Sequence, residues 1–184
     1  MSANQSSTTL QAVSTRQAAP ELPSAEAQQF LTFTLGSEHF AIAIQAIREI
    51  IEFPRLTAIP LTPAFLAGVI NLRGAVVPVI DLSVRFGRAR TGVGRRSCIV
   101  IVEVMMGEEL QPLGVIVDAV DEVVEIDAAQ IERRPDFGAG IRADFVSGML
   151  RLGSSFVVAL NLDRVLSGEE LEQMIGLAGE AALQ

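Results

Sequence analysis

The sequence predicts an all-β protein in which two related halves, spanning residues 30–166, each close into a small barrel of four or five short strands. Three observations lead there. Apolar residues come in short, often alternating runs bounded by glycine, proline or charge, as half-buried strands require. Turn formers punctuate those runs, with 15 glycines and 8 prolines in 184 residues. The chain also aligns with itself. At an offset of 80, Gly68-Val69-Ile70-Asn71-Leu72 lies on Gly148-Met149-Leu150-Arg151-Leu152, and residues 76–82 lie on 156–162 without a gap. At an offset of 73, residues 41–44 lie on 114–117 and 47–52 on 120–125. Two ungapped blocks in the same order point to duplication. Lobes of about 65 residues are marginal alone, so the barrels should abut and leave a groove between them, where a partner helix could lay an apolar face.

Residues 1–28 are rich in Ser, Thr, Gln and Ala and read as a disordered tail. Order begins at the alternating run 30–35, Gly36-Ser37 turns the chain, and 39–44 returns with Phe40, Ile42 and Ile44 on one face. A further strand covers 47–52. Pro54, Pro60 and Pro63 then allow a strand at 56–59 and one helical turn at 63–66. Residues 68–72 and 75–80 form a strand pair around Arg73-Gly74, where Gly74 supplies a positive φ, and Pro78 demands an edge or bulge. Arg85, Arg88, Arg90, Arg95 and Arg96, interleaved with Gly87, Gly92 and Gly94, read as a mobile basic loop. Strands recur at 97–104, 113–119, 120–126, 145–152 and 156–162. A helix over about 168–176 follows, with Ser167 as its cap, Glu169 and Glu170 in its first turn, and Leu171, Met174 and Ile175 at helical spacing. The expected organisation is a first barrel over about 38–96, a second over about 97–166 completed by the N-terminal strand, and a tail over 177–184.

Composition removes many functions. A net charge of −8 without Trp or Tyr lacks the cationic, stacking surface that nucleic-acid binding uses. No apolar run approaches the roughly 20 residues of a membrane helix. No secretory signal precedes the chain's single cysteine, Cys98, so a reducing cytoplasm is the expected compartment and Cys98 a small apolar strand residue. All 14 basic residues are arginine, which excludes P-loop, Schiff-base and lysine-base chemistry. His39 is the sole histidine, so multi-histidine metal sites fall away and an exposed hairpin position suits it. A small-barrel enzyme or ligand-binding domain would need a polar pocket with a titrating pair. The only clustered acids, Asp118, Asp121 and Glu122, fit solvated strand ends better.

Duplication makes differences between the copies informative. Arg73 has Gly153 at its own position in the second copy, and a turn at a strand end would display its guanidinium fork to a carboxylate or carbonyl. Glu49 has Glu122 as counterpart. A pair between Glu49 and Arg73 is possible on spacing alone.

Phe-Ala-Ile-Ala-Ile at 40–44, Ile-Arg-Glu-Ile at 47–50, Thr-Pro-Ala-Phe at 62–65 and Gly-Val-Ile-Asn-Leu-Arg-Gly at 68–74 resemble the CheW-type coupling proteins of bacterial chemotaxis. So do Val-Val-Pro-Val-Ile-Asp-Leu at 76–82 and Leu-Gly-Val-Ile-Val-Asp at 113–118. The resemblance covers about 30–166 and departs from the family pattern only at the ends, neither of which is a receiver domain. It implies two adjacent five-stranded SH3-like barrels with short helices and a C-terminal helix, and a noncatalytic adaptor without cofactor. Such an adaptor bridges the cytoplasmic tip of a chemoreceptor to the regulatory domain of the histidine kinase CheA. It would be recruited to membrane-associated arrays without inserting in the membrane. Carried over residue by residue, the receptor-binding set is Ile47, Glu49, Gly68, Asn71 and Arg73, with Ile99, Gly114, Val120 and Val123. The kinase contact is barrel-to-barrel packing whose residues the resemblance does not assign. An array that controls pili or a second messenger instead of flagella is the alternative within the same class.

Overall fold

The computed structural model describes residues 27–133, 140–165 and 168–182. Its strands are β1 (Gln28–Leu35), β2 (Glu38–Ala43), β3 (Ile47–Glu52), β4 (Leu66–Leu72), β5 (Ala75–Asp81), β6 (Cys98–Met106), β7 (Glu109–Val117), β8 (Ala119–Ile126), β9 (Ile131–Glu132), β10 (Val146–Leu152) and β11 (Ser155–Leu160). The helices are α1 (Leu82–Arg85), α2 (Leu162–Val165) and α3 (Gly168–Ala182). One sheet runs β8-β1-β2-β11-β10-β9 and the other β3-β6-β7-β5-β4, so each barrel body is a single sheet.

The duplication is legible in the pairing register. β4 and β5 pair Leu66 with Ile80, slip at a bulge, then pair Gly68 with Val79 and Leu72 with Ala75. β10 and β11 pair Val146 with Leu160, slip, then pair Gly148 with Ala159 and Leu152 with Ser155, which is the same ladder 80 residues on. β3 against β6 and β8 against β1 share a second bulge: Ile47 faces Val102 as Val120 faces Phe33.

The copies do not fold as contiguous halves. β5 runs parallel to β7, with Val79 beside Gly114, and β11 runs parallel to β2, with Ala159 beside Ala41. Each sheet therefore takes the opening hairpin of one copy and the closing strands of the other. This corrects the expected division near residue 96 for three strands: β6 and β7, at 98–117, belong with β3, β4 and β5, and β2 belongs with β8, β10 and β11, beside the N-terminal strand β1 expected there. The physical reason lies in the core. Leu31, Phe33, Leu35, Phe40 and Ile42 from the first hairpin pack with Val100, Val102, Val104, Leu113 and Val115 from the second in one shared cluster. Exchanging the hairpins closes both barrels around that cluster.

Smaller differences have local causes. Residues 1–26 lie outside the described residues, so the tail expected to be disordered is not addressed, and β1 starts at Gln28. In place of a strand at 56–59 there is one bridge, Thr57 to Val69, because Pro54 and Pro60 leave no room for a longer ladder. α3 runs on through Ala182, past the expected end at 176. Gly176 and Gly179 each cost about 1 kcal/mol relative to alanine, but neighbouring Leu177 and Ala178 are strong helix formers. The proposed cap Ser167 lies outside the described residues. The basic loop is not free: Thr91 donates from both N and Oγ1 to the buried Asp81 carboxylate, at 2.9 and 2.7 Å, and Arg88 pairs with Glu38.

Because both barrels close on one cluster, Phe33→Ala is expected to cost about 3–5 kcal/mol. Reporters in β4 and β10 should lose structure in a single denaturant transition; two separated transitions would contradict the shared core.

Candidate functional site

β3 alternates down its length, with Ile47, Glu49 and Ile51 half-buried and Arg48, Ile50 and Glu52 exposed. Opposite it stands the β4–β5 turn. Arg73 at φ 52° and Gly74 at φ 87° give both central residues the positive φ of a type I′ hairpin turn. The left-handed region costs a non-glycine residue on the order of 1 kcal/mol, and the second copy avoids that cost by placing Gly153 at φ 60°. The Asn71 side chain steadies the turn by accepting from Gly74 N at 2.9 Å.

From this turn Arg73 reaches Glu49. Nη1 donates to Oε1 at 2.7 Å and Nη2 to Oε2 at 2.8 Å, a two-point fork. The Arg73 side chain remains 72% exposed and that of Glu49 23%, so the guanidinium presents its remaining donors outward. The hydrogen bond from Arg73 holds the Glu49 carboxyl below its ordinary value of 4.5, and the same bond raises Arg73. Beside the fork lies a depression of about 160 Å³ lined by Arg48, Leu72, Arg73, Ala75, Val77 and Pro112.

Ile47, Glu49, Asn71 and Arg73 thus gather on the barrel built from β3 to β7. Val120 and Val123 lie on β8 in the other sheet, Val120 half-buried against the shared core and Val123 52% exposed. Three of the nine candidates are packing residues. Ile99 is fully buried among Ile70, Val79 and Ile101. A side chain at Gly114 would lie 2.9 Å from Ile99 Cγ2, and one at Gly68 would lie 2.6 Å from the Thr57 carbonyl oxygen. These positions shape the surface from beneath and present no side chain to it. Ile50, absent from the candidate set, is 45% exposed and equivalent to Val123 at the offset of 73. That alignment was the available signal.

Other groups follow a different logic. His39 Nδ1 lies 3.1 Å from Asp121 Oδ2, Thr34 Oγ1 donates to Asp121, and Asp118 accepts from Gly36 N at 2.6 Å, so these acids brace the β1–β2 turn against β8. A larger cavity of about 410 Å³ sits between the first sheet and the β6–β7 tip, with Phe30, Ile42, Met105, Leu110, Leu150 and Leu162 in its wall. Asp118, Asp121 and Glu122 do not line it. Among the described residues no group of three His, Cys, Asp or Glu could hold a metal ion, and no helix is long and apolar enough to cross a membrane. Burial pushes the Cys98 thiol up, away from the reactive thiolate.

The family model described as CheW-like domain matches residues 29–170. The chain belongs to the CheW-like family. The chemotaxis protein CheW of Klebsiella aerogenes is 36% identical over 144 residues, covering 78% of this chain and 84% of that protein. CheW of Rhizobium meliloti is 32% identical over 145 residues, covering 79% and 91%. The crystal structure of scaffolding protein TtCheW from Thermoanaerobacter tengcongensis superposes with a TM-score of 0.70 at 36% identity, covering 78% of this chain and 96% of that one. The two sheets of this CheW-like domain are accordingly the paired SH3-like barrels of the family.

Arg73→Ala should let the Glu49 carboxyl return upward toward 4.5. In the parent protein the depressed carboxyl contributes stability that is present above its ordinary value and fades as pH falls through the depressed one. Carboxylate titration by NMR checks this, and an unmoved Glu49 in the variant would contradict the fork.

Proposed function

We propose that this CheW-like chain is a noncatalytic adaptor of bacterial chemotaxis, coupling the helical tip of chemoreceptors to the regulatory domain of the kinase CheA. The observation that carries the reading is the Arg73–Glu49 fork, displayed on a strained turn that the second copy leaves as glycine. A strained, solvent-facing arginine held in one orientation by its own carboxylate is preorganised for a second acceptor, because its rotamer freedom is already spent. The acceptor would be a carboxylate or an exposed carbonyl on the receptor helices, with Ile47, Asn71 and the exposed Val123 adding apolar and polar contact. Gly68, Ile99 and Gly114 keep the backbone beneath that surface in place.

The adaptor carries no bond-making step. Coupling arises because one rigid body engages two partners at once, so that binding one raises the effective concentration of the other and links their conformational equilibria. Barrel-to-barrel packing with the kinase's own CheW-like domain uses surfaces away from the fork. The protein works in the cytoplasm, at the membrane-associated receptor array.

Reconstitution tests the reading. The purified chain should capture both a CheA regulatory domain and a receptor tip from its own genome, and failure to bind either would overturn the adaptor role. Arg73→Ala is expected to keep the fold and the kinase interaction while weakening receptor binding about tenfold, the loss of one charge-assisted contact. Receptor-dependent kinase activity that is unchanged in this variant would remove Arg73 from the receptor surface.

A further inference from the structure

The offset of 80 that relates the copies also relates α1 to α2, Phe65 to Phe145 and Arg85 to Val165. Arg85 stands where these equivalents meet. Its guanidinium carbon lies 4.9 Å from the Phe65 ring centroid and 5.0 Å from that of Phe145, so the cation is held against the same residue of each copy. Its Nε donates to the carbonyl of Val165, its own counterpart, at 2.5 Å. The remaining reach of the fork goes to α3, where Nη2 donates to Glu170 Oε2 at 2.8 Å. With a side chain only 12% exposed, Arg85 is largely withdrawn from solvent between two equivalent phenylalanines and not part of a solvated basic loop.

Among the described side chains of α3, Glu170 and Met174 hold it to the barrels. It lies against β5 and β6 and sends Met174, fully buried, into the shared core. Glu169, Glu172, Gln173 and Glu180 face solvent, and two glycines weaken the helix from within. A helix of 15 residues with this composition is marginal without its docking contacts. Glu170 is 36% exposed, so salt reaches the ion pair from that side. We propose that α3 is a releasable strap laid over β5 and β6, latched by the Arg85–Glu170 pair, and that it lifts while both barrels stay folded. Lifting it withdraws Met174 and bares the part of the shared core around it. The latch is electrostatic and the barrels' closure is apolar, so ionic strength should act on one and not on the other.

Hydrogen exchange of the full chain, followed peptide by peptide, tests this directly. Glu170→Gln keeps the shape and removes the charge, so α3 amides should exchange about tenfold faster at low salt, while β6 and β7 amides keep their protection. Raising salt to about 1 M should bring α3 of the parent protein toward the variant's rate and leave the variant itself unchanged. The proposal is overturned if α3 exchanges at the parent rate in Glu170→Gln at every salt concentration. It is equally overturned if α3 and β6 gain exchange together, because opening would then be global unfolding. Neither result bears on receptor or kinase binding, so the strap and the adaptor role fail separately.

Discussion

The apolar seam between the β1–β2 hairpin and the β6–β7 hairpin is the contact on which everything else rests. Among the described residues, each barrel's private core contains six buried side chains, whereas the shared cluster contains 21. A barrel with so small a private core would not stand alone, since little apolar area is then removed from water on folding. Hairpin exchange resolves this by making each barrel contribute a wall to the common cluster. The aromatic residues follow the same line: Phe33, Phe40, Phe86 and Phe145 form a chain of ring contacts, each pair with centroids 5.6–6.1 Å apart. One rigid body results, and a rigid body is what an adaptor needs if binding at one face is to be felt at another.

On that symmetric frame the surfaces diverge. Glu49 and Glu122 are equivalents, yet Glu49 holds an arginine fork and Glu122 uses its backbone, accepting at its carbonyl from Thr32 and donating from its amide back to the Thr32 hydroxyl. The turn that carries Arg73 accepts backbone strain where its counterpart uses glycine. At this turn a non-glycine residue takes the left-handed region in the first copy only, at a cost that the second copy avoids. The Arg73 guanidinium stays solvent-exposed in a position fixed by Glu49, on a turn steadied by Asn71.

Much of this was readable in the sequence, and what was not has a definite cause. The offset of 80 predicts the β4–β5 and β10–β11 hairpins as equivalents, because strand alternation and turn glycines are local properties, while the bulge that they share is visible only in the pairing register. Partition of β2, β6 and β7 between the sheets is not legible locally, since the parallel pairings of β5 with β7 and β2 with β11 join segments that no local pattern connects. Gly68, Ile99 and Gly114 enter the set through motif position, which says nothing about which face a residue occupies, and Ile99 sits in a run of four apolar residues that are all buried. The Glu49–Arg73 pair lay within reach of spacing but needed the closure of the β3 edge onto the β4–β5 turn to become a bond.

Arg85 shows how far the internal alignment could have been taken. Read locally, an arginine at the head of a glycine-rich basic stretch belongs to solvent. Read against its counterpart, it replaces the buried Val165, and a charge at a position its equivalent gives to an aliphatic side chain needs a compensating environment. A second arginine at the equivalent position would set two like charges side by side in a largely desolvated place, which is unfavourable. With one arginine and one valine, the arginine donates to the valine's carbonyl, stacks on both phenylalanines and keeps a nitrogen for α3. Identical residues can meet there, as Phe65 and Phe145 do on either side of Arg85, but a charge is accommodated in one copy only.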